Sequence, residues 1–190
     1  EQWMAFPSPD MDTLIQTDAY AMRAEMHGGR DVREWRDPCV IPYHDGYLMV
    51  LGGRIDNAHG ACLLYTSEDG LHFRYHSELA EDTAGQDESW ECPNFFPLGD
   101  KYVMFYSPYR EVLYLLGDLT EDLRFIPCAS GVLDPSAREG FYAPQTFEDA
   151  KGRRILIGWM GLPDVEEEYT NPTAKDEGWQ HCLTIPREVT

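Results

Sequence analysis

Short apolar runs separated by turn signals dominate the hydrophobic pattern of this chain. Each run has about the length of a buried strand. The clearest runs lie at residues 47–52, 61–67, 102–106, 112–116 and 155–159. Pairs such as Asp-Gly and Gly-Asp stand between them and are typical of tight turns. Because long amphipathic helical patterns between the runs are missing, the pattern predicts an all-β chain and disfavours a doubly wound sheet.

The runs are grouped into units that begin alike. An aromatic residue stands three positions before a proline at Pro38, Pro93 and Pro144, so the units repeat at about 50 residues. Four predicted strands per complete unit with this period indicate blades of a β-propeller. A β-sandwich is the alternative, but it would not explain the shared openings. Residues 178–188 are predicted to open a further blade.

The repeat divides the chain into two parts. Residues 1–34 are expected to form an N-terminal segment that leads into the propeller, and residues 35–190 are expected to form an incomplete set of blades. Within the first part, residues 18–26 fit either a short helix or a strand. Residues 162–177 are acidic and are predicted to be a loop.

The charge of the chain restricts its partners. The 34 acidic and 15 basic residues give a formal net charge of −19. Nucleic acids and anionic membrane surfaces attract clustered Lys and Arg, so both are excluded as expected partners. A small neutral sugar is compatible with this surface. No apolar run approaches the length that a membrane span requires.

The cysteines indicate neither a zinc site nor a disulfide framework, since they are widely spaced, odd in number and without a Cys-x-x-Cys pair. They are Cys39, Cys62, Cys92, Cys128 and Cys182. Reduced thiols in a cytoplasmic protein are the simplest expectation. A leader upstream of Glu1 would change that expectation to a secreted protein.

Two carboxylates lie near the start of successive units, at Asp37 and Glu91. The innermost strands of a propeller start near its axis, so both side chains are expected to face one pocket. Two carboxylates in one cleft are typical of glycoside hydrolysis. Trp90 and a Cys-Pro-x-Phe-Phe run surround Glu91 with apolar groups, which suits a general acid. Arg36 is expected to keep Asp37 ionised. The alternative is a strand whose glutamate faces solvent.

Five segments together resemble glycoside hydrolase family 32. Trp-Arg-Asp-Pro at residues 35–38 is similar to the family's Arg-Asp-Pro motif, and Trp-Glu-Cys-Pro at residues 90–93 is similar to its Glu-Cys-Pro motif. Residues 141–147, 152–160 and 178–188 look like three further family segments, in matching order and spacing. The family comprises β-fructofuranosidases: invertases, sucrose-6-phosphate hydrolases, levanases and inulinases.

The resemblance implies a five-bladed β-propeller and hydrolysis, with retention, of terminal β-D-fructofuranosyl bonds in sucrose, sucrose 6-phosphate or fructans. It implies that Glu91 is the general acid/base and that Asp37 stabilises the transition state by holding fructosyl hydroxyls. Arg36 would support the contact between Asp37 and the sugar.

The resemblance also suggests which residues line the fructose pocket. These are Cys92, Tyr142 and Trp159, with packing in the core as the alternative for Tyr142 and Trp159. No metal and no organic cofactor is expected.

One departure from the family concerns the nucleophile, which is an Asp in an Asn-Asp-Pro-Asn-type motif upstream of Arg-Asp-Pro. This sequence contains no such motif. Because the retaining mechanism needs a nucleophile, the chain is expected to be a fragment of a longer enzyme and inactive by itself. An incomplete propeller exposes strand edges, so self-association through those edges is also expected.

Two other functions remain open at this point. One is a non-catalytic propeller that binds sucrose or fructans. The other is an inverting five-bladed glycosidase that acts on arabinan or xylan, in which the carboxyl groups are about 6.5–9.5 Å apart and not close together.

Overall fold

The computed structural model describes residues 2–136, 140–161 and 172–190. The chain is all-β, as its hydrophobic pattern predicts. The strands in these ranges are β1 (Gln2–Pro7), β2 (Leu14–Met22), β3 (Val32–Tyr43), β4 (Gly46–Ile55), β5 (His59–Ser67), β6 (Arg74–Glu81), β7 (Glu91–Leu98), β8 (Lys101–Ser107), β9 (Leu113–Leu119), β10 (Phe125–Val132), β11 (Tyr142–Glu148), β12 (Arg154–Met160), β13 (Cys182–Leu183) and β14 (Arg187–Val189). The chain divides into two compact units, residues 1–95 and 96–190.

The first unit contains a two-stranded antiparallel hairpin, β1–β2, and a four-stranded antiparallel sheet in the order β3-β4-β5-β6. β4 and β5 are buried along most of their length, which agrees with the apolar runs at residues 47–52 and 61–67. Their side chains build the core of this unit. The buried members of that core are Met22, Val32, Met49, Leu51, Ile55, Ala61, Leu63, Tyr65 and Phe73.

The second unit contains most of a sheet in the order β7-β8-β9-β10, of which β7 begins at Glu91, and a sheet formed by β11 to β14. The strands pair in antiparallel fashion in β8–β9, β9–β10, β11–β12, β12–β13 and β12–β14. Its core is built from the apolar runs of both sheets. The buried members are Phe96, Val103, Phe105, Val112, Phe141, Tyr142 and Leu156.

The three shared openings have a common backbone geometry. The residue before each repeated proline has a positive φ: 61° at Asp37, 47° at Cys92 and 46° at Ala143. The register of β3 against β4 shifts on both sides of Arg36, and that of β11 against β12 shifts between Tyr142 and residue 145. A proline cannot donate to a strand ladder, and the first and third openings bend into bulges at this point. A left-handed residue changes the direction of neighbouring side chains, and the first two openings carry the predicted carboxylates.

The prediction that residues 178–188 open a further blade is wrong. β13 pairs with Trp159 and Met160 of β12, and β14 pairs with residues 154–156 of the same strand, so both belong to the third sheet. Thr184 joins the two pieces, because its N–H donates to the Gly158 carbonyl (2.9 Å) and its Oγ1 accepts from the Gly158 N–H (3.0 Å).

Two segments that the sequence pattern did not assign firmly to a strand contain short helical turns. Residues 18–26 hold the end of β2 followed by a 3-10 turn at Ala24–Met26, so both readings of this segment apply in part. The predicted acidic loop lies outside the described residues up to position 171, and a π-helical turn follows at Thr173–Glu177. Neither helical turn in the described ranges has the length and apolar character of a membrane-spanning helix.

Candidate active site

The bulge in β3 places Arg36 and Asp37 beside the start of β7. The Arg36 guanidinium donates to Glu91 Oε1 from Nη2 (2.6 Å) and from Nε (3.2 Å). Its Nη1 donates to the Glu34 carbonyl (3.2 Å), which fixes the plane of the guanidinium. The Glu91 side chain is only 16% exposed, so it does not face open solvent as the alternative interpretation of its strand required.

Asp37 is held by the residue that follows Glu91. The Cys92 N–H donates to Asp37 Oδ2 at 2.9 Å, and the Cys92 Sγ donates to the same oxygen at 3.4 Å. Burial and, secondly, the neighbouring Asp37 raise the pKa of the Cys92 thiol to about 12. The thiol is therefore protonated at neutral pH and can act as a donor to the carboxylate. Asp37 Oδ1 has no hydrogen-bond donor in the part of the chain that the structure describes, so it can accept from a ligand hydroxyl.

These contacts join the pair Arg36-Asp37 to the pair Glu91-Cys92 in a crossed pattern: the first residue of each pair contacts the first of the other, and the second contacts the second. Arg36 binds Glu91, whereas Asp37 binds Cys92. The expected pairing of Arg36 with its neighbour Asp37 is thus replaced by a pairing across strands, because the positive φ at Asp37 turns the two side chains apart. The arrangement brings both carboxylates to one place, although 53 residues separate them in the sequence.

Side chains that sequence reasoning did not single out support this place. The side chain of Asn94 is buried, and its Nδ2 donates to the Cys92 carbonyl (3.1 Å). The Cys39 Sγ accepts from the Phe95 N–H (3.4 Å). Asn94 lies two residues after Cys92 and Cys39 lies two residues after Asp37, and this equal spacing in the two motifs was the available signal.

The structure places Tyr142 and Trp159 in the second unit, where they are register partners on β11 and β12. Tyr142 is buried, its hydroxyl donates to the Ser107 carbonyl (3.0 Å), and it accepts from the Tyr109 N–H (3.0 Å). Trp159 packs against the same core and contacts the His181 ring edge to face, with centroids 4.8 Å apart. Both side chains therefore have packing roles within their own unit.

A cavity of about 410 Å³ lies elsewhere in the first unit, at the turn between β5 and β6. Its lining includes Ser67, Asp69, His72 and Arg74. The residues of the crossed contacts do not line it; they are Arg36, Asp37, Glu91 and Cys92. Asp69 accepts hydrogen bonds from the His72 side chain and from the backbone of this turn, and they lower the pKa of its carboxyl. The polar side chains of Ser67, Asp69 and His72 are thus used in the hydrogen bonds of the turn itself.

Comparison with protein families gives a match over the whole chain. The model of the glycosyl hydrolases family 32 N-terminal domain matches residues 1–190. The chain belongs to glycoside hydrolase family 32. The family membership confirms the resemblance that the Arg-Asp-Pro and Glu-Cys-Pro motifs indicate.

Two sucrose-6-phosphate hydrolases are similar to most of the chain. A sucrose-6-phosphate hydrolase of Vibrio alginolyticus is 31% identical over 199 residues, which cover 97% of this chain and 39% of that protein. One from Bacillus subtilis is 34% identical over 173 residues, covering 82% of this chain and 35% of that protein. This family 32 chain therefore spans less than half the length of these curated relatives.

A solved structure supports the same fold. The family 32 β-fructofuranosidase of Bombyx mori superimposes with a TM-score of 0.81 and 27% identity, covering 98% of this chain and 40% of that one. The antiparallel four-stranded sheets are thus those of a family 32 β-propeller domain.

Proposed function

We propose that this family 32 chain belongs to a glycosidase that hydrolyses terminal β-D-fructofuranosyl bonds with retention. The observation that carries the proposal is the crossed pair of contacts, Arg36 to Glu91 and Cys92 to Asp37. It gathers two carboxylates with distinct surroundings, which glycoside hydrolysis requires. The relatives from Vibrio alginolyticus and Bacillus subtilis are sucrose-6-phosphate hydrolases, which supports a fructosyl substrate.

The two carboxylates have different tasks in this proposal. Glu91 donates its proton to the leaving glycosyl oxygen as the bond to the fructosyl carbon breaks. It later takes a proton from the water that releases fructose. Asp37 accepts hydrogen bonds from fructosyl hydroxyls and stabilises the oxocarbenium-like transition state. Cys92 fixes the orientation of Asp37 through its N–H and Sγ.

The nucleophile is proposed to come from residues outside this sequence. The sequence has three asparagines, and none of them begins an Asn-Asp-Pro motif. Without a nucleophile the glycosyl-enzyme intermediate cannot form. The 190-residue chain alone is therefore expected to bind a fructosyl ligand without cleaving it.

Ligand binding tests the role of Asp37. The purified chain is titrated calorimetrically with sucrose, sucrose 6-phosphate and a short fructan. Hydrogen bonds to a charged group contribute about 1.5–3 kcal/mol, so Asp37→Ala is expected to weaken binding about tenfold to hundredfold. Asp31→Ala is the matched control, because Asp31 is exposed and pairs with Arg33. Absence of binding to all three sugars, or equal binding by both variants, would contradict the proposal.

Turnover tests the proposed absence of the nucleophile. The purified chain is incubated with sucrose, and released glucose is measured. No release above the buffer blank is expected. Release that disappears in Glu91→Gln but persists in Glu88→Gln would show that the chain carries its own nucleophile. Glu88 is a suitable control because its side chain is 83% exposed.

The second candidate is a non-catalytic module that binds sucrose or fructans. The missing Asn-Asp-Pro motif is the observation that favours it. The two candidates separate in the polypeptide extended at its N-terminus by the residues encoded upstream of Glu1. Sucrose cleavage by that polypeptide, lost in Glu91→Gln, supports the glycosidase, whereas binding with no cleavage supports the binding module.

A further inference from the structure

Trp90, the residue before Glu91, is held at both its backbone and its side chain. Its N–H donates to the Gly53 carbonyl (3.2 Å), and its indole Nε1 donates to Asp87 Oδ2 (3.0 Å). A Cβ on Gly60 would lie 2.4 Å from Trp90 Cδ1, and one on Gly52 would lie 2.3 Å from the Trp90 carbonyl oxygen. The strand opening that carries Glu91 thus rests directly on glycines of β4 and β5.

Asp87 is a buried carboxylate, with 5% of its surface exposed. Burying a charged group is unfavourable unless donors compensate for the lost water. Trp90 Nε1 supplies one such donor, and the backbone of Asp87 is fixed as well. Its carbonyl accepts from the Gly60 N–H (2.9 Å), and its N–H donates to Asp82 Oδ2 (2.6 Å). A loop that served only as a connection would not need an ionisable side chain at this depth.

From these contacts we propose that Asp87 is a positioning residue for Glu91. The Asp87 carboxylate fixes the Trp90 indole, and the immobile Trp90 fixes the direction in which the next side chain leaves the start of β7 toward Arg36. The catalytic meaning of this role rests on the proposed function of Glu91, whereas the positioning itself does not. It predicts that the environment of the Glu91 carboxyl changes when the Asp87–Trp90 hydrogen bond is removed.

The test reads Glu91 directly by NMR. The chain is labelled with ¹³C-glutamate at the side-chain carboxyl, and the Glu91 resonance is assigned as the one missing in Glu91→Gln. In Asp87→Ala this resonance is expected to shift by more than its linewidth or to split. In Asp87→Asn, whose amide oxygen can still accept from the indole, it is expected to stay in place. Asp100→Ala, at the exposed turn between β7 and β8, is the control.

A purely structural role would give another result. The free energy of unfolding would fall in Asp87→Ala, but the Glu91 resonance of the folded protein would not move, and this outcome would overturn the proposal. If Asp87→Ala does not fold, Trp90→Phe decides, because it removes the donor and retains an aromatic ring. A Glu91 resonance that is unchanged in folded Trp90→Phe would likewise overturn it.

The positioning role and the proposed function can fail separately. The NMR measurement needs no substrate, so a moved Glu91 resonance in a chain that binds no fructosyl ligand would support the positioning role and contradict the function. Ligand binding that depends on Asp37, together with an unmoved resonance, would do the reverse.

Discussion

The crossed contacts of Arg36, Asp37, Glu91 and Cys92 make each carboxylate depend on the residue beside the other one. Arg36 reaches Glu91 from the β3 bulge, and Cys92 reaches Asp37 from the start of β7. A substitution at one position therefore disturbs the partner as well as the altered side chain, and effects within this group are expected to be non-additive.

The thiol of Cys92 is expected to react slowly with alkylating agents. Its pKa is raised to about 12 by burial and by Asp37, so it forms little thiolate at neutral or mildly alkaline pH. Cys128 and Cys182 are exposed. With iodoacetamide at about pH 8, Cys92 is expected to be alkylated far more slowly than both, as measured by peptide mass spectrometry. Alkylation of Cys92 as fast as that of Cys128 in the folded chain would contradict its donor role toward Asp37.

His27 is a buried imidazole in the core of the first unit. It is 1% exposed, its Nδ1 is hydrogen-bonded to the Tyr65 hydroxyl at 2.6 Å, and its Nε2 has no partner in the described ranges. Burial lowers the pKa of His27 below 6.5, against a weaker opposing effect of Glu25. The unfolded chain therefore gains a proton near pH 6.5 that the folded chain gains only at lower pH. The contribution to stability is complete above that pH and decreases as the pH falls below it.

The pH dependence of unfolding tests this role. Urea unfolding at about pH 7.5 and about pH 5.5 is expected to show lower stability at the lower pH, since this range spans the titration of an ordinary His. In His27→Gln the difference between the two pH values is expected to shrink. His72→Gln is the control, because the His72 side chain is 84% exposed. Equal pH dependence in wild type and His27→Gln would show that His27 does not cause it.

At the scale of elements, the aromatic-x-x-Pro opening is the feature that sequence and structure share most closely. The prolines predict three similar openings, and each has a positive φ immediately before its proline. The prolines do not reveal the direction in which the bulge sends the flanking side chains. That direction depends on the neighbouring strand, and for this reason the cross-strand pairing of Arg36 with Glu91 was not predicted.

Ala143 gives a test of the bulge that avoids the carboxylates. A left-handed φ costs a non-glycine residue about 1–2 kcal/mol, whereas glycine loses about 0.5–1 kcal/mol through backbone entropy. Ala143→Gly is therefore expected to stabilise the chain by up to about 1 kcal/mol in urea unfolding. Ala129→Gly in β10, outside the left-handed region, is expected to destabilise it instead. Equal losses in both variants would mean that the bulge holds no strain.

The central strands could be predicted, and the edges could not. β4 and β5 are buried along most of their length, so an apolar run identifies each of them without tertiary information. β13 and β14 are only two and three residues long, and their pairing with β12 depends on the side chain of Thr184. Sequence periodicity contains no signal for a strand that is completed by a side chain. The burial of His27 was equally invisible, because His27 lies between Met26 and Gly28-Gly29, outside any apolar run.

At the scale of the whole molecule, the described residues expose several large apolar side chains. Leu14 and Ile15 of the β1–β2 hairpin are 75% and 60% exposed, and Leu183 and Ile185 near the C-terminus are 68% and 83% exposed. Exposed apolar side chains and unpaired strand edges favour association. We propose that the isolated chain associates with further copies of itself through these surfaces.

Analytical ultracentrifugation over a concentration series tests this proposal. The sedimentation coefficient is expected to rise with concentration, and the rise is expected to weaken in the double variant Leu14→Ser, Ile15→Ser. A double variant at exposed polar positions of the same segment, Asp10→Ser with Asp12→Ser, is the control. A monomer at every concentration would contradict self-association.

A crystal structure of the Glu91→Gln chain with a bound terminal fructosyl ligand, for which sucrose 6-phosphate serves, would show whether Asp37 and residue 91 contact the same sugar. We expect Asp37 Oδ1 to accept from a fructosyl hydroxyl and the side chain at position 91 to lie within hydrogen-bond distance, about 2.6–3.2 Å, of the glycosidic oxygen of the same sugar. A ligand that contacts only one of the two positions, or that binds elsewhere, would contradict this expectation.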